Sequence, residues 1–331
     1  MVKKVELPQS EAAVQQSLNQ KAFRNRVITF FLPIAGLVFL MLLFSIATGG
    51  QFIGISNMKN LISQGFTMIL VAAGASFIYA GGNIDMSLGA VFGLTEVTAA
   101  LAMGHFAVSG WTAMLIAVIT GVLCTSITGL VFSLLRVPPF VASLCMLNIC
   151  NGIISWIVED GEIYTTYALY KQWDTTAVHG VTLVIVLSVC YVLFTKTRIG
   201  KDAKALGGNP MTAVISGVRR TPAIWITYAI LGCCVGLAGF FGIVGSSRVS
   251  SGSNTLALNT ITAVVLGGFP LRGGAKAHFH AAIVGAVTVT VLSNGLTLMG
   301  LDPAVTLAVK GVLFLAVVAL GADRSKGKLI K

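Results

Sequence analysis

The chain has 331 residues, 56% of them hydrophobic and only 10% charged, with a formal net charge of +11. A soluble globular domain carries about a quarter charged residues, so these proportions exclude a soluble globule and indicate an integral membrane protein. The positive balance does not indicate a nucleic-acid partner, because the basic residues sit in short loops between apolar runs and form no patch interleaved with aromatics.

Residues 1–26 place Lys3, Lys4, Lys21, Arg24 and Arg26 around a Gln/Ala/Ser stretch. That tail is too long and too polar for the n-region of a signal peptide, so the apolar run beginning at Val27 reads as an uncleaved span. A hydrocarbon core needs about 20 apolar residues per helix. Runs that meet or approach this length fall at 27–47, 60–80, 86–104, 111–135, 139–158, 180–195, 222–244, 256–269, 277–297 and 303–320. The expected fold is therefore an all-α integral membrane protein of about ten transmembrane helices, the eighth of them short. A membrane domain over 27–320 lies between the tail 1–26 and a basic tail at 321–331.

Cytoplasmic loops retain an excess of Lys and Arg. With the first tail inside and ten crossings, 18 of the 22 Lys and Arg face inward, Lys59, Lys171 and Arg248 face outward, and Lys310 falls within a span. Both termini are then cytoplasmic. Glu159, Asp160, Glu162 and Asp174 cluster in the longest outward loop, 159–179.

The central inward loop, 196–221, carries Lys196, Arg198, Lys201, Lys204, Arg219 and Arg220. Within it, Asn209 as N-cap and Pro210 at the first helical position predict a short helix over Met211–Ser216, terminated by Gly217. Displayed between two spans, such a helix suits a groove on a soluble partner.

Small residues at helical spacing, Gly121/Thr125/Gly129, Gly232/Gly236 and Ala281/Gly285, predict close helix packing. Two places break the helical pattern, Gly81-Gly82-Asn83 and Gly267-Gly268-Phe269-Pro270 ahead of Gly273-Gly274, each readable as one copy of an internal repeat. Irregular backbone at membrane depth requires protein or a water-filled cavity around it.

Several polar residues within or beside spans are candidates for the transport path. Asp85 and Ser87 open the third span, as a helix cap or as part of a gate. Glu96 lies among Phe92, Gly93, Leu94 and Val97, where a charge is costly unless it is paired, faces water or is protonated within the packing. Lys310 is likewise intramembrane. Glu96 is eight residues and Lys310 seven from the outer ends of their spans, which predicts that they face one another or share an aqueous cavity. Asn148 and Asn151 share a helix face suited to hydrogen-bonding a polar solute, with Asn294 a third candidate; interhelical hydrogen bonding is the alternative for all three.

Other chemistry is missing. No Gly-x-x-x-x-Gly-Lys-Ser/Thr loop occurs, and Gly321–Lys328 has one intervening residue too many with no hydroxyl following. No Gly-x-Ser-x-Gly motif appears. His278 and His280 are two apart, which does not place them together on a helix face, and with no carboxylate nearby in sequence they are not expected to hold a metal. The six cysteines lie in apolar stretches without zinc or redox spacing. The chain reads as no enzyme, with no cofactor of its own.

Four stretches in order carry a resemblance: Gly82-Asn-Ile-Asp-Met-Ser-Leu-Gly89, Val137-Pro-Pro-Phe-Val-Ala-Ser-Leu144, Ala205-Leu-Gly-Gly-Asn-Pro210 with Ala213 and Ser216-Gly217, and Ala263-Val-Val-Leu-Gly-Gly-Phe-Pro-Leu-Arg-Gly-Gly274. Together they resemble the ribose-type permease subunits of bacterial ABC importers, over about Asn57 to Leu320. The resemblance implies import of a sugar or sugar-like solute across the bacterial cytoplasmic membrane. It also implies a separate ABC ATPase subunit that uses ATP and magnesium, an extracytoplasmic solute-binding protein and a second permease chain. Leu206, Gly207, Gly208, Asn209, Pro210, Ala213, Ser216 and Gly217 correspond to the loop such permeases present to the ATPase. Two positions depart from the pattern. Glu96 stands where the family usually has a small residue, and Leu256–Ala263 lacks the two acidic residues that usually precede the Ala-Val-Val-Leu-Gly-Gly run. The rival reading is a proton-coupled secondary transporter using Glu96 or Asp85; a membrane-embedded enzyme is a more remote one.

Overall fold

A computed structural model of the chain describes residues 31–158, 163–164, 170–249, 256–270 and 272–321. The tail 1–26, the acidic residues Glu159, Asp160 and Glu162, and residues 322–331 of the basic tail lie outside the described residues. The described chain is helical, with one two-residue strand pair. Its helices are α1 (Phe31–Ala47), α2 (Ile55–Ala80), α3 (Leu88–Gly104), α4 (Gly110–Leu135), α5 (Pro139–Ile157), α6 (Thr176–Thr195), α7 (Arg198–Gly208), α8 (Pro210–Ile215), α9 (Arg220–Ser246), α10 (Leu256–Leu266), α11 (Phe279–Leu298) and α12 (Pro303–Gly321). Among them α2, α4, α5, α6, α9 and α11 are long and apolar enough to cross a membrane, and α1, α3, α10 and α12 are shorter apolar helices.

Small side chains set the packing. In α2, the run Ala72-Ala-Gly-Ala75 is fully or almost fully buried, and a Cβ added at Gly74 would lie 2.8 Å from the Cys234 Cβ of α9. The predicted small-residue stripes on α4 and α9 face each other. Gly232 packs on the α4 backbone at Gly121 and Val122, Gly236 packs at Ala117 and Val118, and Thr125 Oγ1 donates to the Tyr228 carbonyl at 2.8 Å. Without a hydrophobic drive between helices in lipid, such close approach supplies the dispersion contact that holds spans together. On the other side of α2, Gly267 and Gly285 bring α10 and α11 into backbone contact. α2 is thus the central helix, clasped by α9 and α11. A satellite cluster of Phe44, Phe52, Leu292 and Leu296 fastens α1 to α11, with the Phe44 ring lying over Gly295.

Turns gather at two opposite ends of the bundle. At one end, the turn after α2 touches the turns after α7 and α10, and the Met86 amide donates to Ser143 Oγ at the start of α5 at 3.1 Å. At the other end, β1 (Ile163–Tyr164) pairs antiparallel with β2 (Arg248–Val249). Tyr170 OH there donates to the Val108 carbonyl at 2.8 Å, and Gly110 lies under the Trp173 ring.

Two features differ from the sequence expectation. Residues 198–208, expected as polar loop, form the helix α7, which buries Gly200, Ala203 and Leu206. His278 and His280, two apart, nevertheless stack with ring centroids 5.4 Å apart, because His278 precedes α11 in extended conformation.

Candidate functional site

The loop between α6 and α9 is built as a lever with two arms. α7 lies against the end of α6, where Gly200 packs on the Phe194 backbone and the Lys204 ammonium sits 4.2 Å over the Phe194 ring. Burial of its stem against α6 holds the Lys204 ammonium below its usual pKa range. The chain then turns at Asn209, whose Oδ1 accepts from the amides of Met211 at 3.0 Å and Thr212 at 3.1 Å, so Asn209 is the N-cap of α8 and Pro210 its first residue, as the sequence predicts. At the far end Gly217 adopts a left-handed φ of +90°. The Gly217 amide donates to the Val214 carbonyl and the Val218 amide to the Ala213 carbonyl, each at 3.0 Å, a two-bond close that uses the last carbonyls of α8. Ser216 is the C-cap residue. Capping at both ends lets a helix of six residues, far too short to hold by itself, keep its shape. It buries Ala213 and leaves Met211 72% and Ile215 79% exposed, one turn apart on the same face.

The inner arm ends in a joint made of backbone alone. The Gly274 amide donates to the Ala80 carbonyl at 2.9 Å, linking the turn after α10 to the end of α2. Gly207 wedges onto the same carbonyl: a Cβ there would collide with Ala80 O and come within 2.7 Å of the Gly274 nitrogen. A Cβ at Gly82, whose φ is +71°, would lie 2.8 Å from the Arg272 carbonyl, and one at Gly273 would lie 2.6 Å from the Gly82 nitrogen. Three chain breaks therefore meet without a side chain between them. Gly208 is different, since nothing lies within 4 Å of a Cβ built there. Sequence reasoning names Gly207 and Gly208 together and treats the breaks at 81–83 and 267–274 as separate copies of a repeat. The structure brings the glycine breaks together with Gly207, and the paired glycines were the available signal.

Beyond this joint the chain enters α3 through Asp85 and Ser87, both fully buried. Asp85 Oδ1 accepts from the Ser87 amide at 2.7 Å and from Ser87 Oγ at 2.6 Å, while Oδ2 has no partner among the described residues. Asp85 thus caps the turn, and Ser87 supplies no cap to a backbone amide. The link from Met86 to Ser143 ties this turn to the start of α5.

The intramembrane candidates part company. Glu96 and Lys310 do not meet. The Glu96 carboxyl packs over Gly242 of α9, and Lys310 Nζ donates to Asn259 Oδ1 of α10 at 3.1 Å. Matched depth failed to predict contact because α3 packs against α4, α9 and α5, whereas α12 packs against α10 and α11. Asn294 is buried and accepts from Asn57 Nδ2 at 2.9 Å, so it takes the interhelical alternative rather than offering its amide to a solute. Asn148 and Asn151 are both exposed on α5, together with Cys145, Gly152 and Ser155, on a face that no helix among the described residues covers; Asn148 Nδ2 donates back to the Leu144 carbonyl at 2.9 Å.

Comparison with known proteins agrees with the four-stretch resemblance. The ribose import permease protein of Bacillus subtilis is 31% identical over 310 residues, covering 89% of this chain and 92% of its own length. The ribose import permease protein of Escherichia coli is 28% identical over 282 residues, with 81% and 86% covered. The D-allose transport system permease protein of Escherichia coli is 26% identical over 330 residues, with 96% and 98% covered. The family described as branched-chain amino acid transport system / permease component matches residues 57–318, which spans the lever, the joint and the intramembrane candidates alike, and the chain belongs to that family.

Proposed function

We propose that the chain is the membrane-spanning permease subunit of an ATP-driven ABC importer in the bacterial cytoplasmic membrane, carrying a sugar or sugar-like solute handed over by an extracytoplasmic binding protein. The observation that carries this reading is the lever: an exposed apolar pair, Met211 and Ile215, on a doubly capped helix whose inner arm is locked onto the central helix through Gly207 and Ala80. A helix displayed in this way serves a partner that pushes on it. ATP and magnesium belong to that partner, a separate ATPase subunit. Relatives named for ribose import and for D-allose transport support the solute class.

Ten crossings with both termini cytoplasmic, and a permease domain over 27–320 with the coupling loop at 196–221, fit the inward bias of Lys and Arg and the two sets of turns at opposite ends. The polar uncovered face of α5, with Asn148 and Asn151, supports a second permease chain completing the path, since exposed amides are poorly accommodated by lipid. Motion of α8 would reach α2 through the joint and then Asp85 and Ser87, which border the cytoplasmic end of that path.

The class is tested by reconstitution. Liposomes holding the permease, the ATPase and the binding protein are expected to accumulate solute only with ATP on the ATPase side; accumulation driven by a pH gradient alone would replace this reading with a proton-coupled one. Orientation has its own test. A Thr212→Cys variant in which the six native cysteines are replaced by Ala should stay unlabelled in intact cells by an impermeant thiol reagent and react once the membrane is opened, and labelling from outside would reverse the topology.

A further inference from the structure

Polar side chains gather on one flank of the bundle, within the third of the spans nearest the start of α2. Ser63 and Gln64 are exposed on α2, eight and nine residues after its first residue Ile55, or about 12–14 Å along the helix. Beside them lies a cavity of about 290 Å³ whose polar lining is Gln64, Thr67, Asn259, Thr290 and Ser293. That size lies at the lower edge of the roughly 300–1,000 Å³ common for small-molecule sites. Thr290 Oγ1 donates to the Ala286 carbonyl and Ser293 Oγ to the Val289 carbonyl, which leaves both oxygens as acceptors toward the cavity. Behind this wall Lys310, only 8% exposed, holds the Asn259 amide and forms no ion pair among the described residues. An ammonium has three donors, so two remain for another group.

A cation with no ion pair among the described residues and an exposed amide at this depth are costly in hydrocarbon and stable beside water or a polar solute. A lipid headgroup is a poor source for the missing anion, because Lys310 lies seven residues inside α12, about 10 Å from its end, in a core about 30 Å thick. We propose that this cavity is a solute subsite of the translocation path. Its solute is a sugar acid, a polyhydroxylated frame bearing a carboxylate, rather than a neutral sugar. The hydroxyl oxygens accept from the solute's hydroxyls, and Lys310, standing behind the lining on Asn259, supplies positive charge to the carboxylate. The inference rests on the importer reading above and narrows its solute.

The test places the permease, ATPase and binding protein in liposomes and offers D-gluconate, D-glucuronate, D-glucose and D-ribose in turn. ATP-dependent uptake of at least one acid is expected to exceed that of both neutral sugars by about tenfold. Lys310→Met should lower acid uptake by about the same factor, while Lys310→Arg retains most of it. Uptake of the neutral sugars alone, of neither acid, or of acid unchanged in Lys310→Met overturns the proposal and leaves the importer standing; uptake without ATP overturns the importer reading instead. Should Lys310→Met fail to fold, melting of the purified full chain decides. D-gluconate should raise its Tm and D-glucitol should not, with the difference lost in Asn259→Ser, and equal effects of the two solutes count against the subsite.

Discussion

Gly207→Ala is expected to lower ATP-driven uptake by at least about tenfold, whereas Gly208→Ala should leave it within about twofold of the parent. The two residues are neighbours on α7, and only at Gly207 would an added Cβ meet another atom. A methyl at 207 would overlap the Ala80 carbonyl and sit 2.7 Å from the Gly274 nitrogen, inside the hydrogen bond that joins them. Both obstacles are backbone, so neither can rotate away. Either α7 backs off from α2, or the bond between Gly274 and Ala80 opens and strands two buried polar groups at about 1–3 kcal/mol each. In both cases the lever is unhooked from the central helix. ATP hydrolysis by the docked ATPase should persist in Gly207→Ala, because α8 is capped by Asn209 and Gly217 independently of the joint. Uptake and hydrolysis measured on the same liposomes separate uncoupling from misfolding, and parental uptake in Gly207→Ala would remove the joint from the mechanism.

Apolar length and charge alternation make most of the helices legible in the sequence, because lipid imposes both constraints on every span independently of its neighbours. Local chemistry is equally readable: the cap at Asn209 and the stop at Gly217 depend on residues within a few positions of one another. What escaped depends on partners far along the chain. Glu96 and Lys310 have matching depths, yet azimuth around a helix and the neighbour it faces are set by packing of α3 on α9 and of α12 on α10. The joint of Gly82, Gly207 and Gly273 lies outside local reasoning for the same reason, and a glycine excluded by a backbone more than a hundred residues distant looks like any other glycine in a turn. α7 was missed because its basic residues read as loop, although Ile199, Ala203 and Leu206 recur at helical spacing.

Met211→Glu with Ile215→Glu should abolish stable association with the ATPase while leaving the permease itself folded. Both side chains are largely exposed in the isolated chain, at 72% and 79%, so replacing them removes little internal packing. In the complex, each is expected to fill the partner's groove, and full burial of such a side chain contributes about 1.5–3 kcal/mol. At about 1.4 kcal/mol per tenfold, each substitution lowers affinity by about tenfold to a hundredfold, before the further cost of an unpaired carboxylate in an apolar groove. The measurement is binding of the ATPase to detergent-solubilised permease, with the Tm of the permease alone as control. An unchanged Tm with lost binding is the expected pair, and parental affinity in the double variant would move the docking surface elsewhere. Set against Gly207→Ala, the outcome divides the lever into its two arms. Losing the outer arm loses the motor, and losing the inner arm keeps the motor docked and hydrolysing ATP while the central helix stays still.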